Sequence, residues 1–169
     1  RLVQTVEQSN TAAVIAPNMG KQIVGFQAMV DYAAKTFPGL FKGYSLKIKE
    51  SHQHGKADTS GTAKMMVNYF NKLGLAYTVD DIEKERDPQV QKTSWGIPEE
   101  YLTGHGWHTY SLTSADKSVQ LNFEHNINGR DIYIDGTLDA VDFLNQALAK
   151  RVKGSVFNMI DVLKAGRAE

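Results

Sequence analysis

Apolar and polar residues follow helical and strand periodicities in turn through the first forty residues. Leu2–Gln8 has helical spacing, and Ala12–Ala16 is an unbroken apolar run of the kind found in buried parallel strands. From Gln22 the apolar residues recur at helical spacing until Pro38-Gly39 interrupts the pattern. The pattern predicts a helix with one apolar face, formed by Ile23, Phe26, Val30, Ala33 and Phe37.

A second strand and a second helix follow. From Tyr44 to Lys49 apolar and polar residues alternate, which is typical of a half-buried strand. The apolar residues of Ala63–Phe70 share one helix face, and Gly74 lies just beyond the expected end of that helix. The next stretch, Asp80–Pro98, is polar and contains two prolines. It predicts a long excursion over the surface.

The last third of the chain predicts paired strands and at least one more helix. Trp107–Leu112 and Val119–His125 have strand patterns, and the short link Ser114–Lys117 makes them an antiparallel pair. The pattern of Arg130–Leu148 fits either another hairpin arm or a helix, and local rules leave both open. Val156–Leu163 predicts a final short helix.

This order of elements predicts an α+β fold, in which helices cover one face of a mixed open β-sheet. The length of 169 residues suits one domain with a real core. Lys plus Arg and Asp plus Glu number 19 each, so the formal charge is zero, which argues against a nucleic-acid partner. No apolar run is long enough to span a membrane. The absence of cysteine excludes disulfides, thiolate metal sites and a cysteine nucleophile.

The candidate chemistry lies between the second strand and the second helix. The inward-facing positions of the strand run from Ile48 to Glu50 and His52, so a carboxylate and an imidazole follow an apolar residue on the same face. An ionised group at such a position is costly unless it is paired or used. Asp58–Thr62 is then a strong signal for a helix N-terminus.

A helix start offers free backbone N–H groups, and a glycine there lets an anion approach them closely. A carboxylate or phosphate on Ser60–Thr62 would thus lie near His52 and Lys56, which supply protons or positive charge. A purely structural interpretation stays open on residue types alone. In it, Glu50 and His52 form a satisfied buried pair and Lys56 is a solvated loop residue.

The same segment resembles the dihydrodipicolinate reductase family, the 4-hydroxy-tetrahydrodipicolinate reductases of lysine and diaminopimelate biosynthesis, in its plant-type form. The resemblance covers essentially the whole chain. The residues that carry it are Glu50–Gln53, Lys56, Asp58–Lys64, Val14–Gly20, Gly106–Thr109, Phe123–Asn126, Gly129–Tyr133, Gly136–Ala140 and Phe157–Leu163.

The resemblance implies roles for particular residues. His52 would be the proton donor and acceptor, and Lys56 a second proton donor. Ser60, Gly61 and Thr62 would hold a carboxylate of a small dicarboxylate substrate. Two further substrate-binding residues are assigned less directly. Gln53 stands where many bacterial members have a second histidine, and Arg130 matches a late basic residue that could equally serve as a structural cap.

The resemblance also implies NADPH or NADH as coenzyme, but no glycine-rich strand–helix turn is found for its pyrophosphate. Gly104-His105-Gly106 lacks the third glycine and leads into a strand. The family's nucleotide-binding half would precede Arg1, where the chain opens inside an amphipathic pattern without an initiator methionine. Only the nicotinamide-side loop Ala16, Pro17, Asn18 and Met19 would remain, so the chain alone should be inactive.

The implied organisation has three parts. Residues 1–19 would be the tail of a Rossmann-type nucleotide-binding domain, 20–150 the substrate-binding and oligomerisation domain, and 151–169 a helix that returns to the nucleotide-binding domain. The resemblance favours a helix over Arg130–Leu148 and implies a homotetramer. The compartment would be the cytoplasm, or the plastid stroma of a plant or alga.

Two other classes of function stay open. The histidines at positions 52, 54, 105, 108 and 125 have spacings that can chelate zinc, although Gly55 indicates that the strand ends before His54. No metal is expected on balance. The chain could also be an assembly module that forms oligomers without catalysis.

Overall fold

The computed structural model describes residues 1–166, so the last three residues of the expected C-terminal segment 151–169 lie outside the described part. Two compact units are present. One combines Arg1–Ala28 with the segment that begins at Asp131, and the other is Met29–Arg130. The expected division at residues 19 and 150 stays a prediction.

The helices and strands follow one another in the following order. They are α1 (Leu2–Glu7), β1 (Ala12–Val14), α2 (Lys21–Thr36), β2 (Ser45–His52), α3 (Gly61–Lys72), β3 (Glu83–Glu85), α4 (Pro88–Thr93), β4 (His105–Thr113), β5 (Gln120–Asn128), α5 (Ile132–Ala149), β6 (Ser155–Phe157) and α6 (Met159–Ala165).

The unit Met29–Arg130 is built on a four-stranded mixed sheet in the order β3-β2-β4-β5. β3 is parallel to β2, and both β2–β4 and β4–β5 are antiparallel. One face of the sheet packs against α3, where the Phe70 ring lies 5.7 Å from Tyr110 and 6.3 Å from Phe123 between centroids. Ile48 and Leu112 are fully buried on this face. The expectation of a mixed α+β fold is confirmed.

The long helix α2 buries part of the predicted apolar face, including Ile23 and Val30, together with residues that were not predicted. Ile23, Val30 and Ala34 are buried, whereas Phe37 lies beyond the helix end and is half exposed. Gln27 is also buried, so a polar residue takes one inward position. Helical spacing placed Phe37 on the buried face. The helix ends at Thr36, however, so Phe37 does not continue that face.

The prediction of a surface excursion over Asp80–Pro98 is right about exposure, since most of these residues are exposed, but it misses the secondary structure in this stretch. β3 lies inside this stretch and adds a parallel edge strand to β2, and α4 follows it. Ile82, Gln91 and Ile97 are buried within it. Three residues of charged sequence, Glu83–Glu85, do not alternate in hydrophobicity, so the strand gave no periodic signal.

The other unit contains a two-stranded parallel pair, β1 with β6. Val24, Ala140, Met159 and Val162 form its buried core. Arg130–Leu148 is resolved in favour of helix α5, as the resemblance implied. The prediction that Val156 begins the final helix is wrong, because Ser155–Phe157 is strand β6 and α6 starts only at Met159.

Within residues 1–166, no helix is both long and apolar enough to cross a membrane.

Candidate active site

Glu50 is the buried anchor of the site. Its side chain is fully buried on the helix-covered face of β2, and one carboxylate oxygen forms an ion pair with the Arg86 guanidinium. The other oxygen accepts a hydrogen bond from the backbone N–H of Ser60 at 3.1 Å. Both oxygens are therefore engaged, and the bond to Ser60 ties the strand to the residue before α3.

Arg86 was not predicted as a site residue. It follows β3 directly, and besides Glu50 its guanidinium donates to the carbonyl oxygens of Lys56 at 3.0 Å and Glu85 at 2.8 Å. The guanidinium thus joins the sheet edge to the loop that carries Lys56. The sequence signal for Arg86 was the unpaired Glu50, since a carboxylate in a core position needs a cation nearby.

His52 lies at the end of β2 with both ring nitrogens bonded to protein. Its Nδ1 lies 3.1 Å from the carbonyl oxygen of His105, which can only accept, so Nδ1 carries a proton. Its Nε2 lies 3.1 Å from Nε2 of His108. Gly106, the pairing partner of His52 on β4, leaves room for the ring. The imidazole is consequently fixed in orientation and tautomer.

His105 fixes the carbonyl group that His52 contacts. The ring of His105 is buried, its Nδ1 donates to the Tyr101 carbonyl at 2.9 Å, and its Nε2 accepts from the Ser51 hydroxyl at 2.9 Å. This histidine is therefore a structural support for the start of β4.

The hydrogen-bonded series continues from His108 across the sheet. Nδ1 of His108 lies 3.1 Å from the Tyr110 hydroxyl, which lies 3.3 Å from Nε2 of His125 on β5. The rings of His108 and His125 stack, with centroids 4.6 Å apart. His108 and Tyr110 are buried, whereas His125 on the edge strand is only partly buried.

Burial and positive neighbours keep these imidazoles neutral. Burial, with a further contribution from Arg86, lowers the pKa of His52 to about 4. Burial lowers the pKa of His125 to about 4 as well, and it holds the pKa of His108 well below its usual range. Burial also raises the pKa of the Tyr110 hydroxyl, with the Glu50 carboxylate adding to the effect, so this hydroxyl keeps its proton.

Lys56 lies in the loop between β2 and α3, where its ammonium group is 2.7 Å from the exposed Asp58 carboxylate. Its side chain is mostly buried, with a relative exposure of 22%. The positive charge is close enough to His52 to lower the pKa of that imidazole further. The structure therefore brings the two predicted proton donors into electrostatic contact.

The start of α3 completes this group. Ser60 is the N-cap and Gly61 the first helical residue, and Ser60 and Thr62 are buried. Within residues 1–166, the Ser60 side chain makes no capping hydrogen bond. The first-turn N–H groups of a helix have no intrahelical acceptor, so at this position they can donate hydrogen bonds to a bound anion.

Of the two remaining predicted substrate-binding residues, Gln53 contacts this group through its backbone, whereas among the described residues Arg130 has no hydrogen bond or ion pair to it. Gln53 is partly buried next to His52, and its carbonyl accepts from the Lys56 N–H at 3.0 Å. Arg130 is exposed after β5, and within residues 1–166 no hydrogen bond or ion pair connects it to His52 or Lys56. Both stay predictions as substrate-binding residues.

The predicted nicotinamide-side loop, Ala16–Met19, lies in the other unit, between β1 and α2. Asn18 is buried and its side-chain oxygen accepts from the Gly20 N–H at 2.7 Å, which closes the turn. Gly136 of α5 packs on the carbonyl of Met19 so closely that a Cβ there would lie 1.8 Å from the oxygen. The loop is therefore tightly defined by its own unit.

Only some of the histidines considered as zinc ligands lie close together. His54 lies apart, with its Nδ1 3.0 Å from the carbonyl oxygen of Arg86. Glu50, His52 and His108 do offer ligand atoms within 4.8 Å of one another. A divalent cation there would lie beside the Arg86 guanidinium and compete with it for the Glu50 carboxylate. The donor set therefore suits a hydrogen-bonded network better than a metal.

Comparisons with known proteins agree with this arrangement. The family profile described as "Dihydrodipicolinate reductase, C-terminus" matches residues 23–163. The chain is 49% identical over 166 residues to 4-hydroxy-tetrahydrodipicolinate reductase 2, chloroplastic, of Arabidopsis thaliana. It is 47% identical over 165 residues to probable 4-hydroxy-tetrahydrodipicolinate reductase 1, chloroplastic, of Oryza sativa subsp. japonica. Each alignment covers 98% of this chain and 48% of the relative, so the chain spans about half the length of these curated relatives.

A solved structure shares the fold. It is described as a dipicolinate-bound dihydrodipicolinate reductase from Paenisporosarcina sp. TG-14, with a TM-score of 0.52 and 15% sequence identity, covering 93% of this chain and 55% of that one. The resemblance carried by Glu50–Lys64 is thus confirmed by the family profile and by the plant relatives. The chain belongs to the dihydrodipicolinate reductase family and corresponds to its C-terminal domain.

Proposed function

We propose that this chain is the substrate-binding and proton-donating half of an NAD(P)H-dependent 4-hydroxy-tetrahydrodipicolinate reductase. One observation supports this most directly: Glu50 and Arg86 join the Lys56 loop to the start of α3, and a ring nitrogen of His52 lies within 4.8 Å of the Glu50 carboxylate. The plant relatives that match this chain over about half of their own length carry that enzyme name. The reaction would belong to lysine and diaminopimelate biosynthesis.

The substrate would be a small cyclic dicarboxylate. The first-turn N–H groups at Gly61 and Thr62 attract a carboxylate, helped by the helix dipole. Lys56 adds a positive charge at the same edge of the site. The solved neighbour's description names dipicolinate as its ligand, which is a planar dicarboxylate of this kind.

The proton step rests on His52 and Lys56. A hydride and a proton together reduce one double bond, so each hydride that arrives must be balanced by one proton. Neutral His52 accepts a proton more readily once an anionic ligand lies beside it, because an opposite charge raises the pKa of an imidazole. It would pass that proton on from Nε2 after releasing His108, while Lys56 serves as the second donor.

NADPH or NADH would supply the hydride when bound. Within residues 1–166, the β1–α2 connection contains a single glycine, Gly20, and its turn is closed by the Asn18 side chain. It can flank a planar ring but provides no pyrophosphate cradle. The main coenzyme site would therefore be contributed by sequence outside this chain, and the β1–β6 pair would be the Rossmann-type remnant at the two ends.

Assembly and location are proposed from the family. The sheet face opposite α3 carries Lys47, Trp107 and Ser111 at the positions that alternate with the core residues. This face suits packing against another copy, in a homotetramer. The relatives named chloroplastic favour the plastid stroma over a cytoplasm.

A binding titration tests the proposal. Dipicolinate titrated calorimetrically into the chain should bind, and both Lys56→Ala and Thr62→Val should weaken binding, since they remove a cation and a hydroxyl from the carboxylate site. Lys42→Ala, an exposed lysine in the turn before β2, is the matched control. Absence of dipicolinate binding in a folded tetramer would instead favour the assembly-module alternative.

A second assay addresses the proposed contribution of a separate nucleotide-binding half. The chain alone should not oxidise NAD(P)H in the presence of the cyclic substrate. The chain joined behind the nucleotide-binding half of a plant relative should do so. Activity of the chain alone would refute the claim that the other half is required.

A further inference from the structure

We propose that His108, Tyr110 and His125 form a proton relay with His52, along which one proton can pass between β2 and the edge strand β5. The three residues lie in one unbroken hydrogen-bonded series with His52, on β2, β4 and β5. The inference deepens the proposed function, since His52 must be reprotonated after each turnover if it is the proton donor.

The direction of every hydrogen bond in the series follows from its fixed end. The His105 carbonyl obliges His52 to carry its proton on Nδ1, so Nε2 of a neutral His52 accepts from Nε2–H of His108. Nδ1 of His108 then accepts from the Tyr110 hydroxyl. The Tyr110 oxygen in turn accepts from Nε2–H of His125. Each of the three links then has one donor and one acceptor.

One added proton can reverse the donor and acceptor roles in all three hydrogen bonds while each bond is kept. When His125 is an imidazolium, its Nε2 proton can pass to the Tyr110 oxygen while the Tyr110 hydroxyl proton passes to Nδ1 of His108. The Nε2 proton of His108 then passes to Nε2 of His52. Three N–H or O–H bonds break and three form, so the net change is that His52 becomes the imidazolium and His125 becomes neutral. No residue is oxidised or reduced.

A second added proton leaves one hydroxyl of the series without an acceptor. With His52 and His125 both protonated, the Tyr110 oxygen receives protons from both neighbours, and its own O–H finds no acceptor among the four groups. Tyr110 is fully buried, so an unsatisfied hydroxyl there is costly. Protonation at one end should therefore oppose protonation at the other.

The two ends suit an exchange of one proton. The pKa values of His52 and His125 are both lowered to about 4, so neither end holds the proton much more strongly. Both ends are partly buried, and His125 lies on edge strand β5. The charged or titratable groups that bear on the series are Glu50 on β2, Arg86 after β3, Lys56 before α3, His105 on β4 and Glu124 on β5.

Histidine NMR on the chain without substrate tests the relay. At neutral pH the ring nitrogen shifts should show an Nδ1–H tautomer for His52 and Nε2–H tautomers for His108 and His125. On lowering the pH, His52 and His125 should each titrate in two steps separated by about one pKa unit or more, as coupled groups do. An Nδ1–H tautomer of His108 at neutral pH, or independent single-step curves, would overturn the proposal.

Two variants separate a relay from a packing role. Tyr110→Phe keeps the ring but removes the hydroxyl, and should convert both histidine curves to single steps. His125→Gln, at a partly exposed position, should do the same for His52 and serves if Tyr110→Phe does not fold. Two-step curves that persist in a folded variant contradict the relay. Dipicolinate binding is measured separately, so the relay and the proposed function can fail independently.

Discussion

The His52 imidazole lies against the space that a side chain at Gly106 would occupy. The two residues are cross-strand partners on β2 and β4, and a Cβ added at Gly106 would lie 3.0 Å from Cε1 of His52. That separation is closer than ordinary contact, so any side chain at position 106 must push the ring aside. The ring is held at both nitrogens, and it cannot move without weakening its bonds to His105 and His108.

We therefore expect Gly106→Ala to misplace His52 without unfolding the sheet. Turnover by the chain joined to a nucleotide-binding half should fall several-fold, because the ring must shift by a few tenths of an ångström; a misplacement of about 1 Å would cost roughly 10²-fold. Gly104→Ala is the matched control, because a Cβ at that position meets nothing within 4 Å. Equal activity of the two variants would show that the position of His52 is not critical.

The sequence predicted the strand, the loop and the helix start around His52 because each has a local signal. The inward parity of β2 placed Glu50 and His52 on one face, and Ser60–Thr62 marked the start of α3. These features depend on residues close in the chain. The network beyond His52 has no such signal, since His108 and His125 reach it only through the registers of β2 with β4 and β4 with β5.

Arg86 shows why part of the site could not be predicted. It meets Glu50 because β3 pairs with β2 across more than thirty intervening residues, and a three-residue charged strand has no periodicity to recognise. The prediction for the final segment was wrong for a related reason. Ser155–Phe157 forms a strand only because β1 is available beside it, whereas its apolar residues also fit a helix.

Glu50 and Arg86 should stabilise the fold only when both are present. Glu50→Gln leaves the guanidinium without its counter-ion, and Arg86→Met leaves a buried carboxylate unpaired, so each should lower the free energy of unfolding by about 3–5 kcal/mol. The double variant should lose less than the sum of the two. Urea unfolding of all four proteins measures the coupling.

An exposed pair provides the control for this cycle. Lys47 and Glu83 approach to 2.8 Å with both side chains about half exposed, at 53% each. The same four-protein cycle at this pair should give a coupling of less than about 1 kcal/mol, because solvent screens the charges. Equal coupling at the two pairs would contradict a special role for Glu50 with Arg86.

Two helical glycines should respond to alanine with opposite signs. Gly136 of α5 lies against the Met19 carbonyl, where a Cβ would come within 1.8 Å of a backbone oxygen, so Gly136→Ala should destabilise the chain by about 1–3 kcal/mol or more. Gly25 of α2 has no atom within 4 Å of an added Cβ. Gly25→Ala should therefore stabilise by about 0.5–1 kcal/mol. Thermal unfolding of both variants checks the signs, and destabilisation of similar size in both would refute the close approach.

Removal of either proton donor should reduce turnover while leaving assembly intact. In the chain joined to a nucleotide-binding half, His52→Gln and Lys56→Ala should each lower kcat by roughly 10²-fold or more, the usual contribution of a general acid. Asp58→Asn should have a much smaller effect, because Asp58 is exposed and only holds the Lys56 ammonium from one side. Initial-rate kinetics and sedimentation together distinguish lost chemistry from lost assembly. Unchanged kcat in either donor variant would reject that residue's assignment.

The buried histidines should make the chain sensitive to mild acid. His52 and His125 have pKa values of about 4 in the folded chain, against about 6.5 when unfolded, so the unfolded state binds more protons between these values. The free energy of unfolding should be constant above about pH 7 and fall as the pH decreases from about 6.5 toward 4, by up to about 3 kcal/mol for His52 alone. Urea midpoints measured at several pH values test this. His125→Gln should flatten the slope, and a parent chain equally stable at pH 7 and pH 4.5 would show that these imidazoles are not buried in the neutral form.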